Sequence, residues 1–76
     1  MVSTLFEDGD LKITTESGKY FITYDAGAHQ VVLRRDEISK GEAELALTSR
    51  QKLGEVLLAL QRRLIEEGID PYRSNL

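Results

Sequence analysis

Residues Ser49 to Glu67, SRQKLGEVLLALQRRLIEE, decide how this chain folds. At 100° per residue, Leu53, Val56, Leu57, Leu60 and Leu64 fall within an arc of about 100°, the width of a core-facing stripe. Arg62, Glu55, Glu66, Ala59 and Lys52 cover the opposite side. Thr48 or Ser49 can supply the N-cap oxygen. Gly68 stands where a left-handed C-terminal residue belongs, Ile69 can fold back onto the last turn, and Pro71 prevents continuation. The spacing therefore predicts one amphipathic helix over residues 49–68, about five turns long. Helices of this length draw most of their stability from packing, so the apolar stripe must lie on residues 1–48.

Those residues read as strands. Leu11 to Glu16 alternates, with Leu11 and Ile13 on one face and Lys12, Thr14 and Glu16 on the other. Ser17-Gly18 fits a two-residue hairpin loop, and the aromatic, β-branched stretch Tyr20 to Tyr24 follows it. This turn pairs Glu16 with Lys19, Thr15 with Tyr20, Thr14 with Phe21 and Ile13 with Ile22. Leu11, Ile13, Tyr20, Ile22 and Tyr24 then share the face that receives the helix. Asp25 to Ala28 is the next turn, with Gly27 at positive φ. Gln30 to Arg35 returns as the third strand, and a connection with an even residue count puts Val31 and Leu33 on the helix face. Val2 to Phe6 reads as an edge strand closed by the turn Glu7 to Asp10.

Residues 36–48 admit two readings. Ser39-Lys40-Gly41-Glu42 is a capping box ahead of good helix formers, which favours a short helix over 39–47. Read as a strand, Ala43, Leu45 and Leu47 alternate with Glu42, Glu44, Ala46 and Thr48. In that second reading, with Leu47-Thr48 leading into Gln51 at the helix start, the order of four strands and a helix resembles the single-stranded-DNA-binding transcriptional coactivators. The resemblance implies nucleic-acid binding across the sheet. The favoured fold is α+β, one domain over 1–76. In it an antiparallel meander of three or four strands carries the long C-terminal helix on one face, preceded by the short helix. Residues 1–10 form edge strand and turn, 11–35 the meander core, and 69–76 a frayed tail.

Seventy-six residues support one thin core. An apolar fraction of 41% with 30% charged residues is too apolar for a disordered chain. The absence of Cys excludes disulfides, cysteinyl zinc sites and thiol catalysis. No apolar run reaches the length of a membrane span and no signal segment is evident, so a cytoplasmic location is expected. The net charge of −3 is concentrated in residues 1–48, with five Lys/Arg against nine Asp/Glu. That balance disfavours non-specific attraction to phosphate backbones.

Few residues suggest chemistry. His29 is the sole histidine and has no triad partner or second His at ligand spacing, so it reads as a turn residue near the sheet edge. Asp8-Gly9-Asp10 lacks the further oxygen ligands and closing Glu of a calcium loop. Asp36, Glu37, Glu42 and Glu44 read as a solvated acidic surface. No glycine-rich phosphate loop is present. The expectation is a non-enzymatic protein with no cofactor, no metal and no small-molecule substrate.

Two surfaces suggest binding. On the helix, Gly54, Leu58, Gln61 and Ile65 form a second stripe roughly 100° from the first. It is covered either by residues 38–47 or by a partner, which can be another protein or a second copy. On the outer face of the sheet, Lys12, Lys19, Phe21, Val32 and Arg34 could stack a base and hold phosphates. The leading functional expectation is a small acidic interaction module of the regulatory, inhibitor or immunity type, acting on a protein partner. The alternative is a single-stranded nucleic-acid-binding domain that uses the outer face.

Overall fold

The computed structural model describes residues 1–27 and 30–76. The His29 reading lies outside these residues. Four strands, β1 (Ser3–Asp8), β2 (Leu11–Glu16), β3 (Lys19–Asp25) and β4 (Leu33–Ile38), precede the helices α1 (Lys40–Ala46) and α2 (Arg50–Glu66). The strands form one antiparallel meander in the order β1-β2-β3-β4. The fold is thus α+β, as its hydrophobic pattern predicts.

Local chemistry accounts for each join. Ser17 and Gly18 both take positive φ, +55° and +78°, the twist a two-residue hairpin needs. The β2–β3 register is the one expected, from Glu16 opposite Lys19 to Ile13 opposite Ile22. Ser39 caps α1 reciprocally: its Oγ accepts from the Glu42 N–H, and the Ser39 N–H donates to the Glu42 carboxylate. Residues 42–46 are therefore helical, the strand reading falls, and the junction behind the coactivator resemblance is a helix–helix link. Ser49 caps α2 by accepting from the Lys52 N–H. At the other end Ile69 N–H donates to Leu64 C=O and Gly68 N–H to Ile65 C=O, with Gly68 at φ +79°, closing a Schellman motif.

The core joins one sheet face to both helices. Ile13, Ile22, Tyr24 and Ile38 meet Ala43 and Ala46 of α1 and Leu53, Val56, Leu60 and Leu64 of α2. Phe6 reaches this core because the β1–β2 register shifts between Thr4 and Phe6, turning Phe6 to the inner face.

Three expectations need correction. The last strand begins at Leu33, three residues later than Gln30, and its phase is inverted. Asp25 pairs with Leu33, so the connection 26–32 has an odd residue count. Arg34, Asp36 and Ile38 consequently share the inner face with Tyr24, Ile22 and Tyr20, while Val31 is exposed outside the strand. Gly27 does not take positive φ; it is required for space, since a Cβ there would lie 1.7 Å from the Gln30 carbonyl oxygen. The tail is docked, not frayed. Pro71 is buried, and Asn75 pairs through its side-chain amide with the backbone N–H and C=O of Arg35, at 2.8 and 2.7 Å, along the edge of β4.

Candidate interaction surfaces

The inverted phase of β4 carries a cation into the protein interior. Arg34 is 4% exposed. Its Nε and Nη2 donate to both oxygens of Asp36, at 3.1 and 2.9 Å, and its Nη1 donates to the carbonyls of Asp70 and Arg73, at 3.2 and 2.7 Å. The Tyr24 hydroxyl donates to the same carboxylate. Burial, followed by the nearby Asp36 charge, pushes the Tyr24 phenol up to about 12. The Asp36 pairing outweighs desolvation and raises Arg34 above the ordinary guanidinium value. With donors and acceptors matched in this way, the cluster is a latch that holds the tail. It is not an open site.

On the outer sheet face, the predicted nucleic-acid set is divided. Lys12, Lys19 and Phe21 are on that face. Arg34 is on the other, and Val32 precedes β4, where its N–H donates to Asp25. That bond and a second from Gly27 hold the Asp25 carboxyl below its ordinary value. Phe21 faces Glu37 across the strands, not Val32. The cation beside Phe21 is Arg35, which sequence reasoning missed because its parity depends on the β3–β4 connection. Its guanidinium lies 4.0 Å from the ring centroid. Arg35 also pairs with Glu16 at 3.5 Å, and Lys12 with Glu7 at 3.4 Å. Carboxylates therefore already neutralise two of the cations that a phosphate backbone would need.

A cleft of about 490 Å³ lies where the end of β4 meets both helices, lined by Glu37, Ser39, Glu42, Leu60, Arg63 and Glu67. Arg63 spans it, reaching Glu42 at 3.3 Å and the Glu37 carbonyl at 3.4 Å. Burial pushes the Glu42 carboxyl up, but the Ser39 N–H and Arg63 outweigh it and leave Glu42 below its ordinary value. These bonds place α1 on the Arg63 flank of α2.

The second helix stripe occupies the opposite flank. Leu58 and Ile65 are 51% and 56% exposed, Gly54 is exposed, and Gln61 is half-buried. Residues 38–47 do not cover this stripe, because α1 packs on the far side of the core-facing leucines. Four positions at helical spacing thus present two large aliphatic side chains to solvent. Among the described residues, no cluster of three or more His, Asp or Glu side chains could hold a metal ion, and no helix is long and apolar enough to cross a membrane.

No family model matches the chain, and no curated protein or solved structure shows significant similarity to it.

Proposed function

We propose that this chain is a small non-enzymatic protein–protein interaction module, of a regulatory or inhibitory kind, that acts by covering a partner protein. One observation carries the reading: Leu58 and Ile65 stand half-exposed on a flank of α2 that, among the described residues, no other element covers. Exposed aliphatic residues set in a row on a rigid helix exclude water from a partner at little entropic cost, because the helix is already ordered. The outer sheet face is the weaker candidate, since Lys12 and Arg35 are each committed to a glutamate.

The test is Leu58→Glu. Placing a charge in the middle of the stripe should abolish capture of a protein partner from lysate of the source cell, in a nuclease-treated sample, while the circular dichroism and melting of the isolated domain stay unchanged. Unfolding of the isolated domain by this substitution would show that Leu58 belongs to the core and would end the reading. Recovery that depends on intact nucleic acid would transfer the function to the sheet.

A further inference from the structure

We infer that the α2 flank bearing Gly54, Leu58, Gln61 and Ile65 pairs with the same flank of a second copy of this chain, the two helices running antiparallel. This rests on the reading of that flank as a binding face and names its occupant. The spacing of the four positions is four, three, four, which is the alternation of a two-helix seam. In an antiparallel pair related by a two-fold axis between Leu58 and Gln61, each position meets a different one on the other copy. Gly54 faces Ile65 of the second copy, and Leu58 faces Gln61.

Three features of the chain suit that arrangement. A Cβ built on Gly54 would meet nothing within 4 Å, so the glycine leaves an open hole in the helix surface. The half-exposed Ile65 of the other copy is a knob of the size to fill it, and the two-fold axis makes this contact twice. In the same arrangement Leu58 of each copy would lie over the aliphatic stem of Gln61 of the other. Charge completes the match. Glu55 and Arg62 border the stripe on its solvent side, and antiparallel packing brings Glu55 of each copy beside Arg62 of the other. Within the chain Glu55 reaches only the exposed Lys52, and Arg62 forms no ion pair among the described residues. A parallel pair fits worse, because Gly54 would face Gly54 across a void while Ile65 crowded Ile65. A second copy thus matches the face in shape and in charge.

Sedimentation equilibrium of the full chain, from low micromolar to millimolar concentration, tests the pairing. The wild type should pass from monomer to dimer across that range, and Leu58→Glu should weaken the dimer by more than about tenfold. Gly54→Leu should move two readouts in opposite directions. Removing a mid-helix glycine raises the melting temperature of the monomer, whereas filling the hole weakens the dimer. Glu55→Arg should also weaken it, and adding Arg62→Glu to the same chain should restore it. A wild type that stays monomeric throughout overturns the second copy but leaves the face open to a different protein. Dimerisation indifferent to Leu58→Glu and Gly54→Leu overturns this geometry. A monomer unfolded by Leu58→Glu removes the binding face altogether, and the proposed function with it.

Discussion

Replacing Arg34 with Met should remove a large part of this domain's stability and release its C-terminal tail. The guanidinium donates four hydrogen bonds, two to Asp36 and one each to the carbonyls of Asp70 and Arg73. The Asp36 side chain is 11% exposed, so without Arg34 its charge stays buried with only the Tyr24 hydroxyl and the Asn75 amide as donors among the described residues. Removing one member of a buried ion pair costs roughly 3–5 kcal/mol. A domain of 76 residues has about 4–11 kcal/mol in total. The urea midpoint of Arg34→Met should therefore fall steeply, and amide exchange over residues 70–75 should approach that of an unstructured peptide. The cost comes from the stranded carboxylate more than from any intrinsic strength of the pair. Adding Asp36→Leu should thus recover the part of the loss due to the stranded charge, leaving about 1 kcal/mol each for the Tyr24 hydroxyl and the Asp70 and Arg73 carbonyls, which stay without their partners. A loss below about 1 kcal/mol for the single variant, with exchange over the tail unchanged, would refute this account of the latch.

Other substitutions test the local rules one at a time. Gly68→Ala forces a side chain into a left-handed conformation at φ +79° and should cost about 1–2 kcal/mol in thermal unfolding. Ser39→Ala removes half of the capping box of α1 and should cost about 1 kcal/mol, with amide exchange rising first at Glu42. Alkaline pH should destabilise the protein through Tyr24. The unfolded phenol releases its proton near the ordinary value of 10.0 and the folded one at about 12, so stability is intact below pH 10 and falls as pH rises between those values. Tyr24→Phe should remove the late tyrosinate step seen by ultraviolet titration and flatten the stability profile across that interval.

What could be read directly from the chain was what its neighbours in sequence decide. The stripe of α2 and the Gly68 stop depend on residues within a few turns of one another, as does the Ser39–Glu42 box. Ser17-Gly18 sets the β2–β3 register through a turn that admits one pairing. The flank containing Leu58 and Ile65 was visible in the same way, as an excess of apolar residues over what one sheet face requires. Its exposure was not, because that depends on which side of α2 the short helix α1 occupies. The bonds from Arg63 to Glu42 and to the Glu37 carbonyl show which side it is.

Alternation alone gives β4 the wrong face, and the reason is energetic. In Val31-Val32-Leu33-Arg34-Arg35 the hydrophobic pattern argues for burying Val31 and Leu33 and exposing Arg34, since an unpaired cation in the core costs several kcal/mol. The other phase wins because the charge is not unpaired. Asp36, two residues along the same inner face, supplies a carboxylate, and the carbonyls of Asp70 and Arg73 supply the remaining acceptors. The same phase brings Ile38 into the core opposite Tyr20, at 3% exposure, in a strand that runs three residues past its expected end at Arg35. Half of what makes Arg34 acceptable in the interior thus arrives from residues nearly forty positions later. A window sliding along β4 cannot contain it. The tail that looks dispensable in sequence is what permits a buried arginine, and the buried arginine is what orders the tail.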